Sequence, residues 1–234
     1  MENRLAQSWH EPNVITYEQK ISRKIAGYST LYDLTSKLMS VSVNKEEEKS
    51  ILIVGAGGGQ ELLALGADSK WSFMAVDSSK PMLELAKSRT TELNKHICFQ
   101  QQEWEEFSSS ERFDGATCLL VLHFIKGIDN KRKFLKNIAK HLKPDAPFLV
   151  AAIFGDLKST SFEMHMAAWK QYMCGNGVSE QEFLDFAQNF GKGTEVISDK
   201  QMVELLHECG FTEISRYFGS FLIQGFYCRR SKLE

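Results

Sequence analysis

The fold is decided by the stretch ILIVGAGGGQE, residues 51–61. Its first four residues form a continuous apolar run, as expected for a parallel strand that is covered on both faces. The glycines that follow have no Cβ, so the backbone can turn sharply and a ligand can approach it closely. Residues 60–65 are expected to form a helix whose first amides favour a ligand carboxylate or phosphate. The stretch therefore predicts a strand, a glycine turn and a helix.

The glycine spacing separates two kinds of nucleotide-binding sheet. A dinucleotide fingerprint requires G-x-G-x-x-G. Its third glycine is missing in either register, because Gln60 and Leu62 stand there. The cluster fits G-x-G-x-G instead, which disfavours a dinucleotide oxidoreductase. A tight turn that binds no ligand remains an alternative for the glycines taken alone.

A carboxylate supports a ligand at this turn. Asp77 ends the second predicted strand, twenty residues after Gly57. In nucleotide-binding sheets an acid at this place accepts hydrogen bonds from ribose hydroxyls, which are charge-assisted contacts. The alternative is that Asp77 only helps to start the helix before Pro81. Its position relative to the glycines favours the ribose interpretation.

The rest of the chain alternates strands and helices. Further strands are predicted at residues 71–76, 96–100, 115–122 and 148–154, with helices such as 81–94 and 130–142 between them. The region 156–197 is too long for a plain connection and predicts an inserted helical lid. Ser198 and Gln201 have the spacing of a capping box that opens the last helix. Strands at 212–218 and 221–228, joined by two residues, predict a β-hairpin.

These elements predict an α/β fold: a Rossmann-like three-layer sandwich with a seven-stranded, mostly parallel sheet and an antiparallel C-terminal hairpin. The polar stretch 44–50 separates two parts of the chain. An N-terminal helical segment, residues 1–44, is expected to cover the ligand site. Residues 45–234 are expected to form the main domain with its lid.

Composition limits the classes of function. The chain has 234 residues, a formal net charge of −2 and no apolar run of membrane-spanning length. No overall basic field favours nucleic acid. The first thirteen residues lack the form of a signal peptide. The five cysteines are scattered without CxxC spacing, which predicts reduced thiols, a cytoplasmic protein and no metal site. Oligomeric state is not predicted.

Four segments carry a resemblance to a known family. ILIVGAGGGQE, AVDSSKPMLELAK, FDGATCLLVLHFI and LKPDAPFLVAAIF together resemble the class I S-adenosylmethionine-dependent methyltransferases. The resemblance implies S-adenosylmethionine as cofactor and a site at the carboxyl ends of the strands. It implies three groups of cofactor-binding residues: the methionine part at Gly55, Ala56, Gly57 and Gly59, the ribose at Asp77, and the adenosine and adenine at Ser78, Met82, Glu103 and Trp104.

Two positions bear on how far the resemblance extends. The family commonly has an acid two residues before the first glycine, where this chain has Ile53, so the contact to the methionyl amino group must come from elsewhere. Glu103 could also be an ordinary exposed loop residue.

A narrower resemblance is to the branch that contains carboxy-S-adenosylmethionine synthase. It is carried by residues 25–29, by the long region after Gly155 and by residues 219–221. It implies that Tyr28 contacts the cofactor. That branch uses an arginine in the last helix to hold the extra carboxylate, and the corresponding position here is Leu205. A leucine cannot neutralise a buried carboxylate, so we expect methyl transfer rather than synthesis of a carboxy-cofactor.

The resemblance implies a methyltransferase acting on an acceptor that the sequence does not identify. Transfer from a sulfonium needs in-line positioning above all, and a base only for a protonated, weakly acidic acceptor. His123, at the end of the fourth strand, is the first candidate for a catalytic base or substrate contact, although a structural role is the alternative. The mainly apolar lid favours a small-molecule acceptor. A non-catalytic cofactor-binding or partner-binding module is the other function left open.

Overall fold

The computed structural model describes residues 20–67 and 69–232. Residues 20–24 are helical, and the first complete helix is α1 (Tyr28–Ser42). The first nineteen residues of the predicted N-terminal segment, including the stretch compared with a signal peptide, lie outside the described residues. The division into a covering segment and a main domain therefore stays a prediction.

Strands and helices alternate through the first two thirds of the chain. They are β1 (Ser50–Val54), α2 (Gln60–Gly66), β2 (Ser72–Asp77), α3 (Lys80–Thr90), β3 (Ile97–Gln101), β4 (Gly115–Leu119), α4 (Ile128–Lys140) and β5 (Pro147–Ile153). The remaining elements are α5 (Thr160–Gly175), α6 (Glu180–Ala187), α7 (Asp199–Glu208), β6 (Phe211–Ser220) and β7 (Ile223–Arg230). The predicted capping box opens α7, since the Ser198 and Gln201 side chains bond reciprocally to each other's backbone amides.

The seven strands form one sheet in the order β3-β2-β1-β4-β5-β7-β6. β1 to β5 pair in parallel, whereas β7 runs antiparallel to both β5 and β6. The predicted seven-stranded, mostly parallel sheet with an antiparallel hairpin is therefore confirmed. Strand order reverses between β1 and β4, and in open α/β sheets ligands bind at the carboxyl ends of the strands beside such a reversal.

Helices cover both faces of the sheet. Side chains of α1, α2 and α3 pack on one face, where Met39, Leu62 and Leu83 are buried against β1 and β2. On the other face α4 and α7 bury Leu135 and Met202 against β4 and β5. The all-buried pattern of β4 and β5 follows from this double cover.

Several boundaries differ from the prediction, most of them by one or two residues, and two of the differences have a visible cause. β4 ends at Leu119 instead of residue 122, because Leu120 adopts a left-handed backbone with φ of 63° and the chain turns away from the sheet. The hairpin turns at Phe221 and Leu222 rather than at residues 219–220. Phe221 stacks on Trp169 at 5.9 Å between ring centroids, and Leu222 is buried. Burial of these two apolar side chains fixes the turn.

The predicted lid region holds α5 and α6. They pack on the N-terminal helical residues, and the Trp169 indole donates a 2.6 Å hydrogen bond to the Lys24 carbonyl. Trp169 is itself buried with Phe186, Phe221 and Tyr172 around it. No helix among residues 20–67 and 69–232 is long and apolar enough to cross a membrane.

Candidate active site

The glycine turn after β1 uses its glycines for different purposes. Gly55 and Gly59 have φ of 75° and 83°, and an added Cβ would lie 2.3 Å from Val121 Cγ2 and 3.0 Å from Ala86, respectively. These two glycines therefore permit close packing. Gly57 also has a positive φ, 49°, but a Cβ added there would have its nearest neighbouring atom 4.0 Å away. Gly57 borders open space, which is the side from which a ligand can approach the backbone.

The carboxylate of Asp77 fixes this turn to the end of β2. Its Oδ2 accepts the Gly57 N–H at 2.8 Å, and its Oδ1 accepts the Ser79 N–H at 2.8 Å. The helix α3 is capped by Ser79, whose hydroxyl accepts the Met82 N–H. Helix initiation is thus the work of Ser79, while Asp77 joins the glycine turn to the loop after β2 and lines the cavity described next.

A cavity of about 400 Å³ opens at the carboxyl ends of β1, β2 and β4. Nine of the ten predicted cofactor-binding residues line it, and Gly59 does not; the nine are Tyr28, Gly55, Ala56, Gly57, Asp77, Ser78, Met82, Glu103 and Trp104. The volume lies in the range of small-molecule sites. The sequence-predicted residues are therefore brought together at one edge of the sheet.

One end of the cavity is formed by the loops after β2 and β3. Met82 and Trp104 are buried there, and the Trp104 indole N–H donates to the Phe134 carbonyl at 3.2 Å. Glu103, next to Trp104, is exposed. Gln102 also lines the cavity, and its buried Nε2 has no hydrogen-bond partner among the described residues. A buried donor of this kind is costly unless something bonds to it, so Gln102 offers a polar contact to a ligand.

Aromatic and aliphatic residues form much of the remaining cavity lining. Tyr28 and Tyr32 pack edge to face at 4.9 Å between ring centroids, and Val121, Phe124 and Ile125 lie among the lining residues. Of these, only Tyr28 was predicted. The others come from the middle of α1 and from the turn after β4, and their apolar character gave no signal to distinguish them from core residues.

Glu61 also lines the cavity, and the sequence analysis did not single it out. It is only 3% exposed, and the Thr117 hydroxyl donates a 2.7 Å hydrogen bond to its Oε1. Burial, with a smaller contribution from nearby Asp77, raises the pKa of the Glu61 carboxyl to about 8. An acid in the first turn of the helix after the glycines was the available signal, but such an acid is also common for its interaction with the helix dipole.

His123, the predicted base, lies behind the cavity wall. It is 5% exposed and is not among the residues that line the cavity, although Val121 and Phe124 on either side of it are. Its Nδ1 accepts the Ile153 N–H at 3.4 Å. Burial, aided by the nearby Lys131 charge, lowers the pKa of His123 to about 3. The ring is therefore neutral at physiological pH, and these contacts favour the structural alternative; a catalytic role stays a prediction.

Lys131 holds the cavity-lining loop after β4 in place. Its ammonium group donates to the carbonyl oxygens of Leu122, at 3.0 Å, and Ile125. Burial lowers its pKa to about 8, and the Glu195 carboxylate opposes that shift. Glu195 also accepts the Gly127 N–H at 3.0 Å. This buried network ties the loop to α4 and to the end of the lid region, whose Gly193 lines the cavity.

The arrangement suits a nucleoside with hydroxyl groups and a flexible tail. In the glycine turn, the Gly57 N–H lies 2.8 Å from the Asp77 carboxylate. The buried side chains of Met82 and Trp104 provide apolar surface for a nucleobase. In the part of the chain that the structure describes, no group of three or more His, Cys, Asp or Glu side chains is placed to hold a metal ion.

Comparison with known proteins agrees with this geometry. Residues 52–148, from β1 into β5, match the family model described as a methyltransferase domain. A curated relative, the ubiquinone biosynthesis O-methyltransferase of Rickettsia akari, is 31% identical over 103 residues, which are 44% of this chain and 39% of that protein. The match with this relative thus spans less than half of its length.

Solved structures resemble the chain over more of its length. A magnesium protoporphyrin IX methyltransferase of Synechocystis PCC 6803 with bound SAH aligns with a TM-score of 0.63 at 14% identity, covering 88% of this chain and 84% of the other. An S-adenosylmethionine-dependent methyltransferase of Clostridium acetobutylicum has a TM-score of 0.66 at 13% identity, covering 93% and 97%. At these identities the likeness shows a shared fold, that of the Rossmann-like methyltransferases.

Proposed function

We propose that this chain, whose residues 52–148 match the family model of a methyltransferase domain, is a class I S-adenosylmethionine-dependent methyltransferase. The observation that carries the proposal is the 2.8 Å hydrogen bond from the Gly57 N–H to Asp77 Oδ2, between two residues that line the cavity. It combines an unobstructed backbone turn with a carboxylate at the end of the neighbouring strand. The methyltransferase names of the relative and of the two structural neighbours support the same activity.

The residues at the cavity fit S-adenosylmethionine part by part. We assign the ribose hydroxyls to Asp77, because a carboxylate oxygen can accept a second hydrogen bond in addition to one from a backbone N–H. Met82 and Trp104 would hold the adenine between apolar surfaces, and Nε2 of Gln102 would donate to a ring nitrogen. Gly57 would leave room for the methionine part.

The bound cofactor would supply an electrophilic methyl group for in-line displacement. The chain's own contribution is then to position the acceptor and to exclude water. The fixed loop of Val121, Phe124 and Ile125, together with Tyr28 and Tyr32, would provide the walls for the acceptor. No histidine occurs among the described residues that line the cavity. An acidic acceptor hydroxyl, such as that of a phenol, would need no histidine base from these residues.

We propose a small, largely apolar acceptor, because much of the cavity lining is apolar or aromatic and Gly193 of the lid region contributes to it. The O-methyltransferase name of the Rickettsia akari relative makes a phenolic hydroxyl the first acceptor class to test. Nothing about the site favours nucleic acid. A cytoplasmic location remains a proposal from the scattered cysteines, of which Cys118, Cys209 and Cys228 are buried.

Transfer of a methyl rather than a carboxymethyl group is also part of the proposal. Leu205 is 2% exposed in the core under α7 and is not among the residues lining the cavity. The position that carries an arginine in carboxy-S-adenosylmethionine synthases therefore offers no charge to the ligand here. Incubation with prephenate should leave the cofactor unchanged.

The test is formation of S-adenosylhomocysteine from S-adenosylmethionine in the presence of a panel of phenols, catechols and other small nucleophiles. We expect acceptor-dependent turnover with at least one phenolic compound. Tight cofactor binding without turnover on the whole panel would favour a non-catalytic cofactor-binding or partner-binding module. Absence of cofactor binding would contradict the proposal outright.

A further inference from the structure

Four acidic residues line the cavity, and one of them differs from the rest by its burial. Glu103 and Glu105 are exposed, and Asp77 is half-buried with an N–H on each oxygen. Glu61 is 3% exposed, yet it contributes to the cavity wall beside the glycine turn. A buried acid is expensive for a protein to keep unless a partner stabilises its charged form.

Among the described residues, the surroundings of Glu61 provide hydrogen bonds but no positive charge. Thr117 and the backbone of Leu119, both on β4, hydrogen-bond to its carboxyl group. The titratable groups that face it are the Asp77 carboxylate on β2, the Cys118 thiol on β4 and the Tyr217 hydroxyl on β6. None of these is a cation, and among residues 20–67 and 69–232 no lysine, arginine or histidine forms an ion pair with Glu61.

In this environment Glu61 can take up a cationic ligand group as its charged partner. Burial and the like charge of Asp77 raise the pKa of its carboxyl to about 8, so the group is mostly protonated in the ligand-free protein at neutral pH. A cation that enters the cavity would favour the carboxylate form and displace the proton. Ile53, whose paired partner across the sheet is Thr117, is fully buried and apolar. Ile53 occupies the position where the methyltransferase family commonly has an acid, and it cannot supply a carboxylate. Glu61, which hydrogen-bonds to Thr117, can.

We propose that Glu61 binds the α-ammonium group of S-adenosylmethionine as a carboxylate and releases its proton to solvent when the cofactor binds. The inference rests on the proposed function and assigns a role to a residue outside the glycine and Asp77 motifs. The proton balance is simple: one O–H of Glu61 is lost, a charge-assisted N–H···O contact forms, and the proton goes to the buffer.

The ammonium group fits this role better than the sulfonium of the same ligand. An ammonium carries three N–H donors, whereas a sulfonium carries none. A buried carboxylate gains most from a charged group that also donates hydrogen bonds. Thr117 and Leu119 use part of the acceptor capacity of Glu61, and the ammonium would use the remainder.

The experiment is calorimetric titration at pH 6.5 in several buffers of different ionisation enthalpy, which gives the number of protons released per ligand bound. S-Adenosylmethionine and S-adenosylhomocysteine should each release about 0.9 proton, because at this pH Glu61 is almost fully protonated before binding and an α-amino group is already charged. 5′-Methylthioadenosine, which lacks the amino acid part, should bind with no release.

The variant Glu61→Gln keeps the size of the side chain and an oxygen for Thr117. We expect it to bind both amino-acid-bearing ligands about tenfold or more weakly, without proton release, and to bind 5′-methylthioadenosine within about twofold of wild type. The last result shows that the variant is folded with an intact nucleoside site. Glu106→Gln, an exposed acid outside the cavity lining, is the matched control and should behave as wild type.

The outcomes separate two failures. If neither ligand binds wild-type protein, the proposed function falls and this inference falls with it. If both bind without proton release, or if Glu61→Gln binds them as tightly as wild type, the role of Glu61 alone is overturned. Proton release with S-adenosylmethionine but not with S-adenosylhomocysteine would show that the partner is the sulfonium and would refute the assignment to the ammonium.

Discussion

The substitution Asp77→Asn probes the contact on which the cofactor site depends. In the wild-type protein the two carboxylate oxygens accept the N–H groups of Gly57 and Ser79, each at 2.8 Å. Asparagine has one acceptor oxygen and one NH₂ group, so it can keep only one of these bonds. The other backbone N–H would then face a donor.

The magnitude follows from what is lost. A hydrogen bond to a charged group contributes about 1.5–3 kcal/mol, and an unsatisfied buried donor costs about the same. We expect unfolding free energy to fall by about 2 kcal/mol, which lowers Tm by about 4–8 °C for a domain of this size. The substitution also removes the charged acceptor that Asp77 offers to the ribose hydroxyls. We therefore expect affinity for S-adenosylhomocysteine to fall by about 10- to 100-fold, or ~1.4–2.8 kcal/mol.

The assay pairs calorimetric titration with thermal unfolding. Asp114→Asn is the matched control, since Asp114 also accepts a backbone N–H, that of Ser50 at 3.0 Å, and lies away from the cavity. The control should lose stability and keep its affinity. Wild-type affinity in Asp77→Asn would refute the assigned ribose contact, as would an equal loss of affinity in both variants.

Three further predictions concern other residues of the site. Gly59→Ala should lower Tm more than Gly57→Ala, because both positions need a positive φ but only a methyl at 59 would lie 3.0 Å from another residue, Ala86. Affinity for S-adenosylhomocysteine should fall more in Gly57→Ala. The reverse order in thermal unfolding and in titration would contradict the separate roles assigned to the two glycines. His123→Leu should lose about 1–3 kcal/mol of stability, since the Ile153 N–H loses its side-chain acceptor. The kcat on an identified acceptor should stay within about threefold of wild type. A loss of about 100-fold in kcat with cofactor affinity retained would support the catalytic role predicted from the sequence. In ligand-free protein the pKa of Glu61 is raised from 4.5 to about 8. Between these two pH values the folded protein keeps a proton on Glu61 that the unfolded chain has lost. The free energy of unfolding should therefore fall as pH rises from about 4.5 to 8, by at most ~1.4 kcal/mol per pH unit. Glu61→Gln should therefore gain stability relative to wild type over that range in chemical unfolding, and parallel pH profiles would show that Glu61 ionises normally.

The sheet and the grouping of most predicted site residues around one cavity were predictable because their signals are local. A buried apolar run before glycines can form few structures other than a central strand and a turn, and an acid at the end of the next parallel strand must lie at the same edge. The pairing of Asp77 with Gly57 follows from that topology. The sequence predicts Gly59 to contact the ligand, because spacing alone does not separate a glycine that contacts a ligand from one that packs on Ala86; a ligand contact at Gly59 stays a prediction.

The remaining features depend on tertiary contacts. Glu61 becomes unusual only because α2 packs its first turn over Thr117, a strand position far away in sequence. The hairpin turn moved to Phe221 because Trp169 of the lid region covers that ring. His123 looked like an end-of-strand residue facing the site, but β4 ends early at Leu119 and the short helical turn that follows directs the imidazole toward Ile153.

The most direct test of the central claim is a crystal structure of the protein with S-adenosylhomocysteine. We expect the ligand in the cavity between the glycine turn and Trp104, with its ribose hydroxyls within hydrogen-bonding distance of Asp77. The amino group should lie next to the Glu61 carboxyl. A ligand bound elsewhere, or a ribose that makes no contact with Asp77 in a well-ordered complex, would contradict it.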